Sequence, residues 1–204
     1  MIVKHVMLAL VWIIYCVLHS VLASEWLKSR VRPRMKNFKW YRLWYTLFAY
    51  VFLVALLYFQ VTLPTIKMFT SQGIVFVVGA VLCFSGLALM AVCIKKYFMS
   101  LSGLRSLVTE GFSNQLEITG VHRYVRHPLY LGTFSFIWGL YLLFPYLSLL
   151  IANSIITLYT VIAIRFEEQK LVAEFGDSYS KYMATVPKLI PSFRRAKEFE
   201  NGSS

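Results

Sequence analysis

Two groups of ionisable residues, each at the edge of an apolar run, carry the chemistry that this sequence offers. The stretch GVHRYVRHPLYLG, residues 120 to 132, gathers His122, Arg123, Arg126 and His127 just ahead of Pro128 and Tyr130. The stretch RFEEQK sets Glu167 and Glu168 directly after the next apolar run. Between them lie 37 residues, Pro128 to Ile164, without a single Asp, Glu, Lys or Arg. Ionisable groups beside hydrocarbon point to function. If that run folds back on itself, a cation-rich edge and a carboxylate-rich edge face one site, although His127 and Glu167 are 40 positions apart. Plainer readings exist for each group. Arginines at helix ends snorkel to headgroups, VRHP can open a helix with proline in its first turn, and paired glutamates can begin a solvated amphipathic helix.

The elements that must position these groups follow from the hydropathy pattern. The chain has 204 residues, of which 58% are hydrophobic and only 15% charged, against roughly 25% charged in soluble domains. The charges fall in blocks. Val6 to Ser24 is free of formal charge over 19 residues, Leu43 to Ile66 over 24 and Met68 to Ile94 over 27. Each gap is close to or above the roughly 20 residues that cross a bilayer core. As one helix, the 37-residue run would measure about 55 Å. Pro145 within LLFPYLS divides it, because proline breaks the helical ladder. The expectation is an all-α integral membrane protein with about five transmembrane segments, near 4–24, 41–62, 73–95, 129–144 and 147–165. The last two form a tight hairpin, short for full crossing, followed by a cytoplasmic amphipathic helix. On that helix Leu171, Phe175, Tyr179 and Tyr182 make an apolar stripe.

Basic residues set the expected orientation. Seven Lys or Arg lie between the first two segments, five from Lys95 to Arg126, and seven from Arg165 onward, whereas the other side has Lys4 and Lys67. By the positive-inside rule the three basic regions face the cytoplasm and the N-terminus lies outside, as expected in a bacterial inner membrane. The net charge of +12 is thereby explained by topology and anionic lipid, and a nucleic-acid partner is not implied. The lipid bilayer is the expected partner.

The apolar start is longer than a signal peptide and ends in HSVLASEWLKSR, which fits a retained helix. Cys16, Cys83 and Cys93 all fall within membrane segments, without metal-ligand spacing or a disulfide context, and read as packing residues; no metal is expected. The chain reads as a single membrane domain: three helices over 1–95, a core over 96–191 and a disordered tail over 192–204.

RHPLYLG, then a membrane hairpin, then EEQKLVAEFGDSYSKYMATVPKLIP resembles the integral-membrane methyltransferases of the isoprenylcysteine carboxyl methyltransferase and phospholipid methyltransferase superfamily. The likeness covers about Leu116 to Pro191. In the N-terminal half, LHSVLAS and WYRLWYTLFAY are similar to a bacterial branch that includes methanethiol S-methyltransferase-like and NnrU-like proteins. The resemblance implies S-adenosylmethionine as methyl donor. It places Leu116, Glu117, His122, His127, Pro128, Leu129, Tyr130, Glu167 and Glu168 at the donor site, with Arg126, His127 and Glu167 as the catalytic candidates. The donor's sulfonium and ammonium suit carboxylates, its carboxylate suits imidazole or guanidinium, and a tyrosine face attracts the sulfonium.

Two departures bear on the acceptor. Prenylcysteine enzymes carry an arginine four residues before the first glutamate, where this chain has Ala163, the nearest cation being Arg165; and His122 stands where the family usually has tyrosine. A small thiol, another apolar thiol, a prenylcysteine-like carboxylate or a lipid amine all stay open as the small or lipophilic acceptor. A thiol would react as thiolate, which His122 or Arg126 would favour. The alternative is a non-catalytic NnrU-like accessory protein, with His19 and His127 serving haem or packing. A membrane sterol-type reductase shares the hairpin-and-tyrosine layout but needs more membrane segments than this chain has.

Overall fold

A computed structural model describes residues 1–35, 38–101, 116 and 118–191, without the side chains of 39, 42 and 96–101. Among the described residues seven α-helices form. They are α1 (Ile2–Ala23), α2 (Glu25–Val31), α3 (Tyr41–Thr62), α4 (Gly73–Leu101), α5 (Pro128–Leu143), α6 (Leu147–Phe175) and α7 (Asp177–Thr185). Of these, α1, α3, α4 and α6 are long and apolar enough to cross a membrane, while α5 is a shorter apolar helix. The protein is thus an all-α membrane protein. At 16 residues, α5 is only about 24 Å long, less than the roughly 30 Å core.

Local sequence accounts for the boundaries. Ser24 ends α1 and caps α2, its hydroxyl accepting from the Leu27 amide at 3.2 Å. Glu25 in the first turn of α2 pairs with Lys28 at 2.8 Å, and Arg30 covers the Trp26 ring at 4.4 Å. Pro128 opens α5 at its first position, where a missing N–H costs nothing. Pro145 separates α5 from α6, as its position in the sequence predicts.

The helices pack in the order α3, α1, α6, α5, α4. Leu8 and Trp12 of α1 meet Leu56 of α3 and Ala152 of α6 in a buried cluster, with Trp12 Nε1 donating to Gln60 Oε1 at 2.8 Å. Asn153 Nδ2 donates to the Ile137 carbonyl at 2.6 Å and Trp138 Nε1 to Thr157 Oγ1 at 3.1 Å, tying α6 to α5. Internal pairing of this kind is what a polar group in hydrocarbon requires. The hairpin is therefore real, but α5 makes its closest contact with α4. A Cβ on Gly86 would stand 2.5 Å from the Phe136 nitrogen and 2.6 Å from the Gly132 carbonyl; one on Gly139 would stand 2.6 Å from the Cys83 nitrogen. Glycines seven residues apart on both helices let the backbones touch.

At the end opposite the site, the α3–α4 connection docks on the hairpin turn. The Met68 amide donates to the Pro145 carbonyl at 2.7 Å and the Leu147 amide to the Ile66 carbonyl at 2.9 Å. Thr65 Oγ1 accepts from the Ser148 amide at 3.0 Å and lies 3.2 Å from His5 Nε2. The three cysteines are buried, as packing residues should be.

Where the sequence suggests that the last apolar segment stops near 165, α6 continues without a break to Phe175. The stretch RFEEQKLVAEF contains no breaker, and the first is Gly176, at φ +57°. Both glutamates consequently sit on the rigid extension of a membrane helix. The four residues expected to form the stripe of one helix are instead divided by Gly176: Tyr179 and Tyr182 of α7, with Val186, are buried against Leu171, Val172 and Phe175 of α6, with Leu116 and Ile118 at their edge.

Candidate active site

The two motif ends meet at the junction of α5, α6 and α7. Glu168 is the hub. Arg126 donates through Nε at 2.9 Å and lies at 2.8 Å through Nη2, both to Glu168 Oε1. His127 Nε2 is 3.1 Å from the same oxygen, and Lys188 Nζ is 2.9 Å from Oε2. The side chains of Arg126 and Glu168 are each 7% exposed and that of His127 4%, against 40% for Lys188. A buried carboxylate survives only with such compensation.

The guanidinium of Arg126 is engaged on several sides. Its Nη1 donates to the carbonyls of Met183, at 2.9 Å, and Val186. The backbone follows: the Arg126 amide donates to the Pro187 carbonyl at 2.9 Å and the His127 amide to the Lys188 carbonyl at 3.2 Å. Tyr182 OH donates to the His122 carbonyl at 2.6 Å. These bonds fasten α7 and the residues after it onto the VRHP segment. Tyr179 lies in the same packing; burial, then the Glu168 carboxylate, push its phenol up to about 12.

Glu167 is in a different situation. It is half-buried, and Tyr130 OH donates to its Oε2 at 2.9 Å. Among the described residues no cation pairs with it. Tyr130 in turn stacks on His127, with ring centroids 5.6 Å apart and planes 27° apart. Neighbouring glutamates on one helix thus have opposite environments. One is sealed and charge-neutralised, while the other, among the described residues, bonds only to a tyrosine hydroxyl.

The structure brings together Arg126, His127, Pro128, Tyr130, Glu167 and Glu168, with His122 on the 3₁₀ turn Gly120–Arg123 and Leu129 in the first turn of α5. Leu116 packs against the α7 cluster. Glu117 lies outside the described residues, as does the tail over 192–204. His127 meets Glu168 and reaches Glu167 only through Tyr130. Lys188, absent from the sequence-derived candidates, is the residue that reasoning from motifs missed. Its signal was the lysine in TVPKLIP, beside the proline whose carbonyl pairs with Arg126.

The profile of the phospholipid methyltransferase family matches residues 74–178, about half of the chain, including both glutamates and the RHP segment. The chain belongs to that family. It is 42% identical over 72 residues to the methanethiol S-methyltransferase of Crocosphaera subtropica, covering 34% of this chain and 27% of that protein. It is 40% identical over 79 residues to the protein-S-isoprenylcysteine O-methyltransferase of Schizosaccharomyces pombe, covering 37% of this chain and 33% of that one. A longer alignment, at 27% identity over 192 residues, joins it to methanethiol S-methyltransferase 1 of Bradyrhizobium diazoefficiens, covering 87% of this chain and 64% of the relative. The aligned parts thus span about a quarter to two thirds of these relatives' own length. No solved structure matches the chain. Nothing found favours the accessory-protein alternative: His127 is engaged by Glu168, and His19, on α1, stacks on Tyr15 at 6.2 Å.

Proposed function

We propose that this protein is an S-adenosylmethionine-dependent membrane methyltransferase that acts on a small uncharged thiol. One observation carries the reading: the Arg126–Glu168–His127 cluster holds the hairpin mouth rigid and, among the described residues, leaves Glu167, beside Tyr130, with a carboxylate oxygen that no cation pairs. A ligand with cationic groups fits that carboxylate and that aromatic face. The donor, when bound, supplies a methyl group on a sulfonium. The reaction is a direct displacement, in which the thiolate lone pair forms the new S–C bond. The old C–S bond breaks, its electron pair returning to the donor sulfur, and the thiol proton leaves to water.

The chain's own residues orient these partners. Glu167 and Tyr130 hold the cationic part of the donor, while His127 keeps the Tyr130 ring in place. Arg126 and Glu168 act as positioning residues, because their polar atoms are already used by each other and by the α7 carbonyls. Alignment of this kind is most of what a displacement needs.

Ala163 supports an acceptor without charge: it offers no cation to an acceptor carboxylate, and the neighbouring Arg165 is exposed. The names of the bacterial relatives favour a thiol. The hydropathy pattern assigns nineteen of the 21 basic residues to the same side as the RHP and EE motifs, which supports a cytoplasmic site and an external N-terminus.

The test is transfer of a labelled methyl group by detergent-solubilised protein to a panel of small thiols, prenylcysteines and lipid amines. Thiol-dependent transfer that Glu167→Gln abolishes is the expected result. Labelling of prenylcysteine or lipid amine alone would overturn the acceptor assignment, and no transfer at all would overturn the activity.

A further inference from the structure

At the end of the molecule opposite the Arg126–Glu168 cluster, a groove of about 320 Å³ lies between the first turns of α1 and α6. Ligand sites commonly hold roughly 300–1,000 Å³. Ile2, Val6, Ile66, Leu147 and Ile151 give the groove apolar walls. His5, which also lines it, is 6% exposed and has both ring nitrogens engaged, by the Met1 carbonyl at 3.1 Å and Thr65 Oγ1 at 3.2 Å. The groove therefore offers carbon to an occupant. From Ile2 to Ala9 its lining follows α1 for about 10 Å. That is most of one leaflet of a bilayer core roughly 30 Å thick.

The polar rim beside this groove is fixed and cationic. The Leu147 amide donates to the Ile66 carbonyl at 2.9 Å, and the adjoining residues Lys67 and Tyr146 are bridged through their backbones. Tyr146 is 37% exposed, as suits a tyrosine at headgroup level. Lys67 is exposed, and so is Lys4, which precedes His5 in the first turn of α1. The segments that make this end, residues 1–4, 63–72 and 144–147, contain Lys4 and Lys67 and none of the nine acidic residues of the chain. Two cations without an acidic residue in these segments thus flank an apolar groove of leaflet depth.

We propose that this groove binds one anionic phospholipid, with an acyl chain between α1 and α6 and the phosphate held by Lys4 and Lys67. The inference stands apart from the methyltransferase reading and does not depend on it. A zwitterionic lipid would bring its own cation toward the lysines, and a second copy of the chain seated face to face would set lysine against lysine. An anionic amphiphile meets neither cost. The bound lipid would join α1, which lies outside the family match over residues 74–178, to the hairpin turn.

The experiment reconstitutes the full chain in phosphatidylcholine vesicles doped with a trace of photoreactive lipid, either phosphatidylglycerol or phosphatidylcholine with the same labelled acyl chain. Crosslinked residues are then mapped by mass spectrometry. The phosphatidylglycerol probe should label Ile2–Ala9 and Leu147–Ile151 at least about fivefold more than the phosphatidylcholine probe does. Lys4→Gln and Lys67→Gln should each lower that labelling about fivefold, as loss of one lysine near an anionic headgroup does. Ala9→Phe, which fills the groove, should lower labelling by both probes. Equal labelling of the wild type by the two probes would mean ordinary boundary lipid, and labelling of these residues by neither would mean that protein covers the groove. Either result overturns the proposal, as does phosphatidylglycerol labelling that survives both lysine substitutions. Methyl transfer is not part of the readout, so failure here and failure of the methyltransferase reading are told apart.

Discussion

Arg126 and Glu168, 42 residues apart in the chain, are joined by two guanidinium nitrogens to one carboxylate oxygen, at 2.9 and 2.8 Å, with both side chains 7% exposed. The same guanidinium also caps the carbonyls of Met183 and Val186. Sequence motifs at the start of α5 and in the middle of α6 are thereby locked to the end of α7.

Removing one partner of this pair leaves a buried charge without compensation. Arg126→Ala should destabilise the protein by roughly 3 kcal/mol, measured by thermal unfolding in detergent. Arg126→Lys should recover only part of this, since an ammonium cannot reproduce the fork of bonds to Glu168 and the carbonyls. A loss confined to activity, with normal stability, would argue that Arg126 serves a substrate instead.

The α4–α5 contact yields a second expectation. An added Cβ at Gly86 meets backbone atoms of Phe136 and Gly132 at 2.5 and 2.6 Å, which cannot swing aside. Gly86→Ala should cost about 1–3 kcal/mol by overpacking and should loosen α5, and with it Tyr130. Gly139→Ala, against the Cys83 nitrogen, should behave alike. Equal stability of wild type and variant in the same thermal assay would show that the helices stand further apart.

Tyr179 provides a pH signature. Its folded phenol is raised from 10.0 to about 12 by burial and by the Glu168 carboxylate. A raised pKa means that the folded form holds its proton longer. The stability it contributes is complete below pH 10 and is lost as pH climbs toward 12. Unfolding midpoints of wild type should fall through that interval, and Tyr179→Phe should flatten the fall. Parallel curves for the two proteins would refute this.

Much of the fold could be read in the sequence because its determinants are local: uncharged runs of 19 to 37 residues, Pro145 at the hairpin and Pro128 at a helix start. The meeting of RHP and EE follows from the hairpin alone. Other features depend on tertiary packing. That α5 lies against α4 is decided by Gly79, Gly86, Gly132 and Gly139 facing one another, a spacing visible only once the helices are paired. Lys188 and the α7 carbonyls enter the cluster because Gly176 turns the chain back, and the length of α6 beyond 165 reflects the absence of a breaker. Which glutamate is sealed and which stays open is a matter of one helical position, and the sequence EE does not distinguish them.

That difference between Glu167 and Glu168 is tested most directly by calorimetric titration of S-adenosylmethionine into wild type, Glu167→Gln and Glu168→Gln, with melting temperatures measured alongside. Glu167→Gln should weaken donor binding about tenfold or more, as loss of a charged contact does, and leave the melting temperature near wild type. Glu168→Gln should lower the melting temperature clearly, because Arg126 and Lys188 lose their counter-charge. Wild-type donor affinity in Glu167→Gln would contradict the account.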